Sequence, residues 1–100
     1  MLYVGSDLAL TAFLKDELKP LDCFVVRCPR GREARLFIES EIKYSLFLFD
    51  EELMDMTGAE LEQLTHRVKH RKHTPVVIYQ KSDNFNNLVE TIIHLLVTQK

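Results

Sequence analysis

Ser45-Leu46-Phe47-Leu48-Phe49-Asp50-Glu51-Glu52-Leu53-Met54-Asp55-Met56-Thr57-Gly58 is the stretch that decides the fold. Its apolar run, Leu46-Phe47-Leu48-Phe49, stops at three acids, and after a short loop Thr57-Gly58-Ala59-Glu60 opens a helix. Four large apolar residues without polar alternation suit a strand buried on both faces, as in a parallel sheet between helix layers. In such sheets the site lies beyond the carboxyl ends of the strands. Asp50 falls on that edge.

Working outward, Leu2-Tyr3-Val4 reads as a first strand ended by Gly5-Ser6-Asp7. Asp7 is a good N-cap for a helix Leu8–Leu18, with Leu10, Phe13, Leu14 and Leu18 on one stripe, and Lys19-Pro20 ends it. Residues 23–28 are β-branched and aromatic and predict the second strand; Pro29-Arg30-Gly31 turns into a helix over about 32–40. The third strand covers 45–49. The third helix runs over about 58–70, with Thr57 and Glu60 spaced as a capping box and Leu61, Leu64 and Val68 facing the core. Thr74-Pro75 precedes a fourth strand, Val76-Val77-Ile78-Tyr79, and a last helix covers about 84–98.

A chain of 100 residues makes one domain, 1–100, and 46% hydrophobic with 28% charged residues is ordinary globular composition. A net charge of -2 and pI near 6.1 give no global attraction to nucleic acid or anionic membrane. No apolar run approaches the roughly 20 residues of a spanning helix, and the apolar start is too short for a signal peptide, so a cytoplasmic protein is expected. Cys23 and Cys28, at opposite ends of one predicted strand, would stand roughly 16 Å apart, beyond disulfide reach, and read as free thiols.

The stretch around Asp50 resembles the receiver domain of two-component response regulators. There a strand ends in the Asp that accepts a phosphoryl group, and a Gly follows eight residues later in a Leu-Pro-Asp-Met-x-Gly-like loop. Asp50 and Gly58 keep that spacing, and Leu53-Met54-Asp55-Met56-Thr57-Gly58 matches the loop except that Met54 replaces the proline. Gly31-Arg32-Glu33-Ala34 looks like the family's Gly-x-Glu-Ala helix start, and Thr74-Pro75 with three β-branched residues is again receiver-like. The resemblance implies a flavodoxin-like (CheY-like) α/β three-layer sandwich. A full receiver has five strands and five helices, whereas here a single helix follows the fourth strand; the junction 80–85 and that helix look like the family's terminal loop and fifth helix, as if one βα unit were deleted and the fourth strand fused to the last loop. A four-stranded parallel sheet of order 2-1-3-4 follows, with helices two and three on one face and helix one beside the last helix on the other.

Carried over residue by residue, the phosphoacceptor position is Asp50 and the metal-binding carbonyl position is Glu52. The family's acidic pair falls on Gly5 and Ser6, which carry no carboxylate; Asp7 stands one place late and serves as an N-cap. The family's Thr/Ser position falls on Gln80, and its Lys on Lys81. Phosphoryl transfer to an aspartate needs Mg²⁺ held by carboxylates. The expectation is therefore a degenerate pseudo-receiver, not an enzyme, with no metal site and no cofactor, in which Asp50 pairs with Lys81. Its alternative is a working receiver phosphorylated on Asp50 with Mg²⁺.

Two other features stand out, a cationic run and the apolar last helix. His66, His70 and His73 have helical metal-ligand spacing, but the cations Arg67, Lys69, Arg71 and Lys72 around them oppose a divalent ion, and an acidic protein without interleaved aromatics argues against nucleic acid. A solvated cationic face is expected. The last helix carries an apolar arc of roughly 200°, about twice what a core-facing helix needs. Leu88, Ile93, Leu95 and Val97, flanking its central stripe, are the expected interface with a protein partner. Receivers commonly pair through their last helices, so the resemblance implies a homodimer.

Overall fold

The computed structural model describes residues 1–98. Its sheet has the order β2-β1-β3-β4, all parallel, with β1 Leu2–Val4, β2 Val26–Cys28, β3 Phe47–Asp50 and β4 Val76–Tyr79. Helices α1 Leu8–Leu18 and α4 Phe85–Thr98 cover one face; α2 Gly31–Glu39 and α3 Gly58–Arg67 cover the other. The four-stranded flavodoxin-like sandwich expected from the sequence is the observed fold. No helix among the described residues is long and apolar enough to cross a membrane.

The twofold period of the strands sorts the core. Tyr3, Leu46, Leu48 and Tyr79 face α1 and α4, packing on Leu10, Leu14, Leu18, Leu88 and Ile92. Leu2, Val4, Phe47 and Phe49 face α2 and α3, packing on Ala34, Ile38 and Leu61. Full burial of one such side chain stabilises by roughly 1.5–3 kcal/mol. That alternation sends Asp50, two residues beyond Leu48, toward the α1 side, where Tyr3 already points.

Three boundaries differ from the sequence reading. Strand β2 starts at Val26 instead of Cys23, because its partner β1 is three residues long and begins at Leu2, in register with Val26; ahead of it only Met1 reaches across, its amino group donating to Phe24 O at 2.8 Å. Phe24 is consequently 81% exposed. Cys23 and Cys28 are free thiols, as expected. Strand β3 begins at Phe47 and includes Asp50, whose partner is Tyr79. Helix α3 ends at Arg67: Val68 is extended, and a 3₁₀ turn, Lys69–Arg71, follows. The break turns Arg71 inward to 4% exposure, where its Nε donates to the Ile38 carbonyl and one Nη to the carbonyls of Ser40 and Ile42. The guanidinium also stacks on the rings of Tyr44 and Phe47. One member of the presumed solvated run is thus a buried staple on the C-terminus of α2.

The loop after Asp50 closes a second tie. Asp55 accepts from the backbone N–H groups of Gly31 (3.0 Å) and Arg32 (2.9 Å), capping α2 from outside, since its own N-cap, Arg30, makes no side-chain cap. Those donors, Arg32 N–H first, hold the Asp55 carboxyl below the usual carboxylate range. Asp55→Ala should cost about 1 kcal/mol in urea denaturation at neutral pH, the usual value of a lost cap. A lowered folded value makes this contribution present above the ordinary carboxylate range and lost as acid protonates the group, so variant and parent should converge in acid.

Candidate functional site

The carboxyl ends of β1, β3 and β4 meet at Asp50. The side chain is 8% exposed. Its Oδ1 accepts from the Tyr3 hydroxyl at 2.7 Å, and its Oδ2 from the Ser6 backbone N–H at 3.2 Å. Tyr3 Oη in turn accepts from the Asp7 N–H at 3.2 Å. Asp7 caps α1 as expected, its Oδ1 accepting from Leu10 N–H at 2.9 Å, and its Oδ2 accepts from the Tyr79 hydroxyl at 3.1 Å. Two tyrosines and two aspartates therefore lace β1, β3, β4 and the start of α1 together.

Burial pushes the Asp50 carboxyl above its usual range and outweighs the Tyr3 and Ser6 hydrogen bonds, which pull it down. The Asp7 charge adds to the rise, and Lys81 opposes it weakly. Burial and the bond to Asp50 push the Tyr3 phenol far up. Tyr79 is pushed up to about 12, by burial first and then by its bond to Asp7.

Glycines let these groups approach. A Cβ on Gly5 would stand 2.4 Å from the Asp50 carboxylate, and one on Gly58 would stand 2.4 Å from the Asp50 backbone oxygen. The loop from Asp50 to Gly58 is a tight return, with Leu53 N–H donating to Met56 O, Gly58 N–H to Glu51 O, and an antiparallel bridge from Glu52 to Thr57. Thr57 Oγ1 accepts from Glu60 N–H at 3.1 Å and starts α3 as the capping pair implied.

The expected pocket residues do come together here. Asp50, Glu52, Gln80 and Lys81 line one cleft of about 360 Å³ with Glu51 and Tyr79, and Ser6 joins Asp50 and Glu52 in a neighbouring hollow. Gln80 and Lys81 lie exposed on a turn closed by Asp83, which accepts from Gln80 N–H. The expected Asp50–Lys81 ion pair does not form. Among the described residues the only one is Arg35–Glu39. Tyr3 takes the place assigned to Lys81, because the strand alternation brings a short, buried hydroxyl to Asp50 while Lys81 sits in solvent.

The two aspartates at the sheet edge are engaged in hydrogen bonds. Both oxygens of Asp50 already accept hydrogen bonds. Asp7 is likewise engaged at both oxygens. Among the described residues no three His, Cys, Asp or Glu side chains form a group that could hold a metal ion. Two of the three histidines of the cationic run bond to backbone: His66 Nε2 pairs with Thr74 O and His70 Nε2 with Ser40 O.

Sequence reasoning missed Tyr3 and Tyr79. The available signal was that each is a tyrosine on a strand predicted to be buried, and a buried phenol needs a hydrogen-bond partner. The interface residues are also redistributed. Leu88 is in the core, and Ile93 and Leu95 pack partly against it, because α1 absorbs the arc of α4, with Phe13 on Phe85 at 5.5 Å between ring centroids. Only Val97 of the four stays open, at 57% exposure.

No family model and no curated protein matches the chain. Solved structures do. A signal receiver domain of a histidine kinase from Syntrophus aciditrophicus superposes with a TM-score of 0.81 at 19% identity, over 99% of this chain and 90% of that one. The receiver domain of a sensor histidine kinase from Pseudomonas aeruginosa, which has magnesium coordinated in its active-site cleft, gives 0.77 at 14% identity over 97% and 96%. A response regulator receiver protein from Sinorhizobium medicae gives 0.73 at 12% identity over 99% and 94%. The chain has the CheY-like receiver fold, and Asp50 stands at the edge where that fold carries its site.

Proposed function

We propose that this chain is a receiver-like module of a two-component signalling pathway that works by contact with protein partners, and that Asp50 is not an efficient phosphoacceptor. One contact above the rest supports this reading: the 2.7 Å hydrogen bond from the Tyr3 hydroxyl to Asp50. In-line attack on a phosphoryl group needs a carboxylate oxygen free to advance, and a divalent cation to neutralise the charge on the moving group. Here one oxygen is tied to Tyr3, the other to Ser6 N–H, and the carboxyl is nearly sealed from solvent. The Pseudomonas domain holds magnesium in its cleft. In the resemblance the acidic pair that would serve such an ion falls on Gly5 and Ser6, and the small hydroxyl for a phosphoryl oxygen falls on Gln80. The module acts by binding and not by turnover, in the cytoplasmic setting of such pathways. Self-association through the last helix narrows, on this reading, to its final turn at Leu96 and Val97.

Incubation with acetyl phosphate and Mg²⁺ followed by intact mass should leave the protein unmodified, and beryllofluoride with Mg²⁺ should leave the amide resonances of Gly5, Ser6 and Glu51 in place. A phosphoryl adduct that disappears in Asp50→Ala would overturn the reading and make the chain a working acceptor.

A further inference from the structure

Nine large apolar side chains are exposed among the described residues, and five of them, Leu21, Phe24, Val26, Ile42 and Val97, line one groove of about 720 Å³. Isolated exposed apolar residues are ordinary, whereas a contiguous patch marks a contact surface. The groove lies at the amino ends of the strands, across the molecule from Asp50, with Met1 on its floor. We propose that it is the interface of a two-fold homodimer in which the Phe24 ring of each copy seats in the groove of the other. This rests on the protein-contact reading above and names its surface.

The occupant follows from how the walls are built. Because β1 lies between β2 and β3, the segment leading into β2 forms one wall and the segment leading into β3 forms the other. The first wall carries Asp22 and Phe24; the second carries Lys43 and Ile42. A two-fold axis running along the groove sets the first wall of each copy against the second wall of its mate. Asp22 then meets Lys43 twice, and Phe24 meets Ile42 twice. Neither Asp22 nor Lys43 has an ion-pair partner among the described residues, so both charges are available. Asp22 is also fixed in place: it holds a left-handed backbone, φ 53°, with its N–H bonded to Lys19 O. A partner of a single charge would be attracted by one wall and repelled by the other, while a second copy satisfies both. Closed two-fold contacts are the commonest form of self-association, and an aromatic anchor in a pocket supplies most of the energy of such a contact. Val97 brings the end of α4 into the same surface.

Sedimentation equilibrium of the full chain tests this. A reversible monomer–dimer equilibrium is expected. Phe24→Glu should leave only monomer, as should Val97→Glu on the other element of the groove. Both side chains are exposed, so circular dichroism should show either variant folded. Asp22→Lys and Lys43→Asp should each weaken the dimer by roughly tenfold, and the double variant, which exchanges the charges of the walls, should recover the parent affinity. A parent that stays monomeric at all concentrations overturns the proposal, as does a dimer that survives Phe24→Glu or a double variant no tighter than the singles. None of these readouts depends on Asp50, whose chemistry is read separately by mass.

Discussion

Tyr3→Phe should lower stability at neutral pH by about 3 kcal/mol, near the upper end for a hydrogen bond to a charged group, because it removes two bonds at once. The substitution keeps the ring, which is fully buried, and so leaves no cavity. It deprives the Asp50 carboxylate of the donor at 2.7 Å and the Asp7 N–H of its acceptor at 3.2 Å. For a domain of this size the melting temperature should fall by roughly 10–20 °C. The effect has a pH signature. Burial already raises the folded Asp50 above its ordinary value, so ionisation costs stability as pH rises through the folded value. Loss of the Tyr3 donor, which pulls that value down, raises it further. Below the ordinary carboxylate range Asp50 is protonated in the folded and unfolded chains alike, and the charged part of the penalty vanishes. Urea titrations of parent and variant from acid to neutral pH should therefore diverge upward. A difference independent of pH would mean that the Tyr3 hydroxyl does not support the ionised carboxylate.

The second large effect is expected at Arg71. Arg71→Met should cost about 3–4 kcal/mol, since three carbonyls at the C-terminus of α2 and its exit lose their donors at roughly 1 kcal/mol each and a stacked cation is lost as well. Methionine is flexible enough to fill the vacated volume, which isolates the polar loss from a cavity. Arg71→Lys should recover little, because an ammonium cannot present two separated donors in one plane. The urea midpoint should fall with an unchanged slope. A variant within about 1 kcal/mol of the parent would place those carbonyls in water, not on the guanidinium.

How much of this was legible differs from element to element. β1, α1 and β4 carry signals that nothing nearby contradicts: an apolar triplet closed by Gly5, an Asp7 cap ahead of a leucine stripe, and a β-branched run after Pro75. The start of β2 was not legible, because Cys23-Phe24-Val25 is as strand-prone as Val26-Arg27-Cys28. Only the length of the neighbouring strand decides where pairing begins. The end of α3 was hidden for a similar reason: in a run of adjacent cations, no local feature marks Arg71 as the one whose partners lie about thirty residues earlier, at the end of α2 and just beyond it. At the site, the spacing of Asp50 and Gly58 located the edge and the absence of acids at Gly5 and Ser6 could be read directly. What replaced them could not. Tyr3 reaches Asp50 only through the register of β1 against β3, a relation between residues 47 apart.

Gly5 and Asp50 now occupy the site on terms each sets for the other. Any side chain placed at residue 5 must first displace a carboxylate 2.4 Å from its Cβ, and that carboxylate is anchored by Tyr3 and Ser6. An acid introduced there alone would meet both a collision and a like charge. A side chain at residue 5 therefore requires a second change that moves Asp50 away, so the two positions can only vary together.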